Sequence, residues 1–213
     1  MDAAAWAGYA AKGMTQLMDG SAQTWAEASD ETLLAAFANG HATAARVLAD
    51  RHVPRVLGFA ARTLGGDRAE AEDVAQEAML RLWKVAPEWR AGEAKVSTWL
   101  FRVVSNLCTD RLRKSGRGVD IDAVPEPEDD TPSAAETMQQ ATRMDALQGA
   151  LSALPDRQRQ AVVLRHIEGL SNPEIAEVMD IGVEAVESLT ARGKRKLAEL
   201  LAARKDELGY DDD

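Results

Sequence analysis

The sequence holds a single cysteine, Cys108, among its 213 residues. An intrachain disulfide and a cysteine-built metal cluster are therefore excluded. Histidine is scarce too: His41, His52 and His166 are scattered, and His41 and His52 do not share the ligand spacing of one helix face. No phosphate loop and no nucleophile motif is present, so neither a cofactor nor catalysis is expected. Aromatic residues make up only 5% of the chain while alanine and leucine dominate, which favours helix over sheet. No apolar run approaches the roughly 20 residues of a membrane span, so no membrane insertion is expected. The N-terminus lacks a basic stretch followed by an apolar one, so no secretory signal is expected either. A soluble cytoplasmic protein is the simplest expectation.

What is present is 46% apolar content, enough for real cores, and a net charge of −10 that is unevenly spread. Residues 91–115 carry five basic and two acidic side chains, and residues 191–205 carry six and one. The acids gather elsewhere: seven in 116–140, five in 171–190 and five in 206–213. Two basic patches around an acidic segment fit two nucleic-acid-contacting modules, because the distribution of charge matters more than its sum. The same runs also fit ordinary solvated helix faces.

The periodicities predict an all-α chain of two small helical domains joined by an acidic flexible linker. Residues 1–28 are an Ala-rich extension in which Trp6, Tyr9, Ala10, Gly13, Met14 and Leu17 have helical spacing. Residues 29–114 form the first domain. Ser29 or Asp30 caps its first helix. A second helix starts near Ala42, bends or restarts at Pro54 and ends at Gly65-Gly66. Asp67 opens a third, whose buried face is Ala71, Val74, Ala75, Ala78, Met79, Leu82 and Trp83, and Pro87 ends it. A loop from Trp89 to Lys95 precedes a fourth helix, capped by Ser97 or Thr98, with Leu100, Val103, Val104 and Leu107 inward. Trp99 and Phe101 both fit a core, Trp99 better. Residues 115–140, with three prolines and most of an acidic block, are the linker. Residues 141–205 form the second domain. Met144, Leu147, Leu151 and Leu154 make one stripe, and Pro155 starts a helix carrying Ala161, Val162, Leu164, Arg165 and Ile167 that Gly169 closes. Residues 206–213 are an acidic tail.

Residues 172–190 have helix-turn-helix spacing. Ile175, Met179, Ile181, Val186 and Leu189 stand where two short crossed helices must pack, and Ala176 where they come close. Asn172 with Pro173 supplies the N-cap and first turn, and Asp180-Ile181-Gly182 the tight turn, with Asp where many such motifs have Gly. The second helix would present Glu184, Glu187 and Ser188 to base edges, with Ala191, Arg192 and Arg195 one and two turns on. Glutamate accepts from cytosine N4, and arginine suits phosphate or guanine. Spacing alone equally fits a hairpin that only packs, with Glu184 and Glu187 favouring a helix N-terminus.

Two longer stretches carry a family likeness. Residues 150–201, with Leu154-Pro155, Gln158-Arg159, Gly169-Leu170-Ser171, Glu174-Ile175-Ala176 and the basic run after Val186, resemble region four of bacterial sigma factors. Residues 72–114, with Glu72-Asp73-Val74-Ala75-Gln76-Glu77, Trp83, Ser97-Thr98-Trp99-Leu100, Asn106 and Asp110-Arg111-Leu112-Arg113, resemble region two. The order, the short linker and the lack of a folded region three or a long region one resemble the extracytoplasmic-function group. The chain departs from the family at Glu187, usually Lys or Arg, and at Leu189, usually Arg.

The resemblance implies a subunit that directs core RNA polymerase to promoters and helps to melt them. Asp73, Gln76, Glu77 and Leu80, with Lys84, form one stripe of the third helix, which the resemblance assigns to the clamp coiled coil of the largest polymerase subunit. Region four would meet the flap of the second subunit. Arg102, Ser105, Asn106, Thr109, Asp110 and Arg113, expected away from the core of the fourth helix, would meet the minus-ten element, and the loop from Trp89 to Ser97 would take a base flipped from the non-template strand. Glu184, Glu187, Ser188, Arg192 and Arg195 would meet the minus-thirty-five element. The acidic linker would run through the polymerase cleft. An inhibitory anti-sigma partner is implied as well. Two other readings use the same residues: a regulator that binds operators without polymerase, and an interaction protein with no DNA contact.

Overall fold

A computed structural model of the chain describes residues 25–114 and 134–202, residues 134–141 by backbone alone. The expectations for residues 1–24, the prolines and acids of 115–133, and the tail from 203 lie outside the described residues. Every regular element among those described is helical, as the composition predicts. None of these helices is long and apolar enough to cross a membrane.

The first domain begins with α1, Asp30–Ala38, capped by Ser29, whose side chain accepts from the backbone N–H of Thr32 at 3.2 Å. Helix α2, Ala42–Thr63, runs through Pro54 without restarting, contrary to expectation. Proline removes a donor to the carbonyl four residues back, here that of Asp50. Both residues are exposed, so water can satisfy that carbonyl. Beyond α2, Gly65 and Gly66 have φ of +76° and +94°, and the Gly66 N–H closes onto Ala61 O at 2.9 Å. These left-handed angles suit glycine and stop the helix where expected. Asp67 then caps α3, Arg68–Val85, by accepting from Glu70 N at 3.0 Å. A single 3-10 turn, Ala86–Glu88, holds Pro87.

Helix α4, Val96–Lys114, starts earlier than expected. Its first carbonyl comes from Lys95, which accepts from Trp99 N at 3.0 Å, so Ser97 and Thr98 are first-turn residues rather than caps, and Thr98 is buried. Of the two aromatics that fit a core, Phe101 rather than Trp99 is the one fully inside. Phe101 is 1% exposed and meets Phe59 edge-on at 5.5 Å, whereas Trp99 is half-buried, edge-on to Trp89. Around Phe59 and Phe101 pack Leu33, Leu34, Leu48, Val56, Leu82 and Leu100, all essentially inaccessible. Each such side chain contributes ~1.5–3 kcal/mol relative to exposure. Cys108 lies fully buried on the same helix. Burial pushes its thiol up to about 12. Asp30 receives Arg51 at 2.9 Å and the buried His52 at 2.8 Å, which pins the start of α1 to α2. The His52 hydrogen bond, more than the Arg51 contacts, holds the Asp30 carboxyl below its ordinary value.

The second domain comprises α5, Ala134–Ser152, α6, Asp156–Val162, α7, Asn172–Met179, and α8, Val183–Ala202. Helix α5 begins inside the span expected to be linker. Of the expected stripe, Leu151 and the following Leu154 are buried and Leu147 packs against the core, while Met144 is 49% exposed. Helix α6 does not continue regularly through Ile167. A π turn over Val163–Ile167 widens the helix, and Arg165 and Ile167 are exposed while Ala161, Val162 and Leu164 are buried. Gly169, at φ +75°, ends this element. Helix α8 crosses α6 at Gly193, where a Cβ would stand 2.6 Å from Val162 Cγ2 and 3.2 Å from Gln158 O. Only glycine allows that approach.

Candidate nucleic-acid interface

Three polar surfaces matter. The first is the outer face of α3. Asp73, Gln76 and Leu80 are exposed there, Leu80 by 60%, making it the most exposed large apolar side chain among the described residues. Glu77 is half-buried and accepts from Arg81 at 2.6 Å. Lys84 extends the exposed stripe. An isolated leucine framed by carboxylates and an amide gives a partner an apolar anchor with a polar rim.

The second surface is α4. Arg102, Asn106, Asp110 and Arg113 are exposed, and Asp110 and Arg113 approach to 3.8 Å. Ser105 does not lie on that open surface as expected: it is 4% exposed. Its hydroxyl donates to Gln160 Oε1 of α6 at 3.5 Å. Gln160 in turn donates to Thr109 Oγ1 at 3.3 Å, and Thr109 donates to the Ser105 carbonyl at 2.8 Å. The second domain thus rests on the middle of this face. Beside the N-terminus of α4, the loop residue Lys95 donates to Glu174 of α7 at 2.8 Å.

The third surface is the helix-turn-helix. Its true N-cap is Ser171, not Asn172: Ser171 accepts from Glu174 N, and Glu174 reaches back to the Ser171 N–H at 2.8 Å, a complete capping box. Asn172 and Pro173 occupy the first turn. The hydrogen bond from Lys95 and those from Ser171 hold the Glu174 carboxyl down to about 2. Asp180 adopts φ +52°, ψ +56°, filling the left-handed position that glycine often takes in such turns. Ile175, Met179 and Val186 are buried between the crossed helices, with Ile181 and Leu189 packed against them. This leaves the start of α8 outward. Glu184, Glu187, Arg192 and Arg195 are exposed and Ser188 half-buried. Asn172 donates to Glu187 at 3.4 Å, and Arg192 Nε to Ser188 Oγ at 3.1 Å. Both side chains fold back on their own motif, ready to be released by a better partner.

Sequence reasoning missed the residues that join the domains. Arg159, 7% exposed, donates to Leu151 O, Leu154 O and, across the domain boundary, Thr63 O at 2.6 Å. Arg55 lies 5.2 Å over the Phe101 ring and donates to the Glu168 carboxylate at 3.3 Å and its backbone carbonyl at 3.0 Å. Burial raises the Glu168 carboxyl above its ordinary value, against the pull of Arg55. The one signal in the sequence was Arg159-Gln160 standing directly before the apolar run Ala161–Leu164.

The two domains that carry these surfaces match known proteins. Residues 48–118 match the family model for sigma-70 region 2, and residues 144–197 that for sigma-70 region 4. The ECF RNA polymerase sigma factor SigE of Mycolicibacterium smegmatis is 34% identical over 192 residues, covering 86% of this chain and 73% of its own. SigM of Mycobacterium tuberculosis is 38% identical over 175 residues, covering 82% and 86%. The solved structure of CnrH in complex with the cytosolic domain of CnrY is 29% identical, with a TM-score of 0.60 over 82% of this chain and 97% of that one. RpoE of Bartonella quintana, solved with the anti-sigma factor NepR, shares the fold at 22% identity and a TM-score of 0.56, covering 70% and 91%. With a region-2 bundle, a region-4 helix-turn-helix and relatives of this identity along most of its length, the chain belongs to the extracytoplasmic-function family of RNA polymerase sigma factors.

Proposed function

We propose that this chain binds core RNA polymerase in the cytoplasm through Asp73, Gln76, Glu77 and Leu80 and directs it to promoters, without catalysis of its own. The observation that carries this reading is Leu80, 60% exposed on a face otherwise polar. A soluble monomer gains nothing from that placement, whereas a helical partner gains an anchor. The exposed part of the α4 face, Arg102, Asn106, Asp110 and Arg113, with Ser105 and Thr109, contacts the minus-ten element, and Glu184, Glu187, Ser188, Arg192 and Arg195 contact the minus-thirty-five element. The loop from Trp89 to Ser97 accepts an unstacked base, so binding energy favours open DNA. An anti-sigma protein holds the chain inactive. Support for this comes from CnrH, which was solved with the cytosolic domain of a second protein.

The decisive experiment is transcription from a promoter library with purified core polymerase, with and without this chain. Promoter-specific transcripts that need the chain support the reading. Tight, sequence-specific duplex binding by the chain alone, without polymerase, would instead favour an operator-binding regulator.

A further inference from the structure

Two carboxylates stand at the outward start of α8, and their surroundings differ. Glu184 makes no hydrogen bond or ion pair among the described residues. Glu187, one turn on, accepts from Asn172 Nδ2 at 3.4 Å. That amide is set in place by the motif. Asn172 is half-buried in the first turn of α7, where the Ser171–Glu174 capping box and the fixed φ of Pro173 hold the backbone. Ile175, Met179 and Val186, buried between α7 and α8, fix one helix against the other. The amide therefore meets Glu187 as a consequence of how the two helices pack. Glu187 itself is exposed, so its side chain can leave Asn172 by rotating about its own bonds.

Resting on the proposed contact of Glu187 with the minus-thirty-five element, we infer that Asn172 is a specificity-determining residue: it gives Glu187 a resting partner and so relaxes the choice of base that Glu187 makes. Bases differ in what they offer this carboxylate. Cytosine presents the N4 amino group in the major groove, a donor. To accept from it, Glu187 must leave Asn172, so the amide's hydrogen bond is subtracted from the gain. Thymine and guanine present only acceptors there. Opposite either of them Glu187 stays on Asn172, and no carboxylate is left unpaired in the closed interface. A site rejects a wrong ligand most strongly when its own polar group is then left without a partner, and Asn172 removes that penalty. Both effects act in the same direction. The chain therefore accepts more minus-thirty-five sequences than a bare glutamate at the same place would allow. Glu184, with no amide beside it, has no such relief.

The test uses the full chain with core polymerase and promoters randomised at the minus-thirty-five element, read by sequencing the promoters that are bound. Asn172→Ala should raise the preference for the donor base over thymine and guanine at one position by about three- to tenfold, the worth of one exposed hydrogen bond. Preferences at the other positions should not change. Glu187→Ala should abolish the preference at that one position, and in its background Asn172→Ala should no longer alter it. This cycle separates a resting partner from a phosphate contact, whose loss would weaken all sequences alike whatever stands at position 187. Circular dichroism checks that the helices stand. Asn172→Asp repeats the test if the first variant loses helicity: it removes the donor, suits a helix N-terminus and should sharpen the preference as well. A broader preference in Asn172→Ala overturns the inference, because Asn172 would then hold Glu187 on the base. So does an unchanged preference at a position that Glu187→Ala abolishes, with the assignment of Glu187 left standing. If Glu187→Ala leaves every preference as in the parent, Glu187 reads no base and the assignment falls together with the inference.

Discussion

Helices α4 and α8 both offer amides, hydroxyls and guanidinium groups, yet they are restrained in different ways. On α4 the restraint comes from another domain, since Ser105 and Thr109 are engaged by Gln160, 55 and 51 residues away. On α8 it is local: Glu187 accepts from Asn172 within the same motif, and Arg192 lies on Ser188 one turn back. A local hydrogen bond at an exposed site is worth ~0.5–1.5 kcal/mol and yields to any comparable partner. An interdomain contact yields only together with its neighbours. The same chemistry is therefore controlled by domain position on one helix and by side-chain rotation on the other.

The sharpest way to break this comparison is to damage the core beneath α4. Phe59→Ala should cost ~3–5 kcal/mol, the usual loss for a buried phenylalanine. If the domains unfold as one unit, urea denaturation will show a single shifted transition in which the signals of both domains move together. A second domain that melts at its original midpoint would show that the shared core does not couple them.

The next largest effect concerns a surface outside both helices. Leu80→Arg should weaken binding to core polymerase by ~2 kcal/mol or more, as loss of a central anchor does. The unfolding midpoint should not move, because the side chain is 60% exposed. Surface plasmon resonance against immobilised core polymerase measures the first quantity and thermal unfolding the second. Unchanged affinity in a folded variant removes α3 from the docking surface.

Glu187→Lys then probes α8. A carboxylate near the groove floor repels phosphate unless it accepts a hydrogen bond from a base, most readily cytosine N4. The substitution should change which minus-thirty-five sequence is preferred, by ~1–3 kcal/mol per base pair read. Selection from a randomised minus-thirty-five library reads this out. Equal strengthening of every sequence would make Glu187 a helix-terminus charge. The smallest effect is expected of Arg195→Ala, which should weaken all sequences alike and reduce the salt slope of binding by ~1. Titration of the polymerase complex against salt would expose any sequence dependence, and with it an error in treating Arg195 as a phosphate contact.

Much of this was legible because local chemistry decided it. Ser29 and Asp67 cap helices as their residue types and positions require, Gly65-Gly66 end α2, and Asp180 takes the turn. That Asp73, Gln76 and Leu80 share one exposed face of α3 followed from helical period, whereas a docking role for that face came only from the family resemblance. What was not legible depended on distant partners. Trp99 and Phe101 have similar apolar character, and only Phe59 on α2 and Trp89 in the loop decide which goes inside. Ser105 reads as a surface residue on its own helix and becomes buried only because Gln160 arrives from the other domain. Arg159 meets Thr63 across 96 residues, a contact that no local period encodes. The capping box at Ser171 was a local signal, but Asn172-Pro173 offered a competing one a single residue later.

Cys108 turns the shared core into a clock. The thiol is fully buried on α4 and stays protonated at neutral pH, so a thiol reagent has no thiolate to meet while the helix is in place. As the sole cysteine in the chain, it gives every labelling event a single address. The rate of modification in excess reagent therefore reports excursions that lift α4 out of the core, read by mass as the labelled fraction. Hinge-like separation of the domains that leaves α4 packed would go unrecorded by this thiol. A chain that opens often yet labels slowly would thus separate domain motion from unfolding without any added probe.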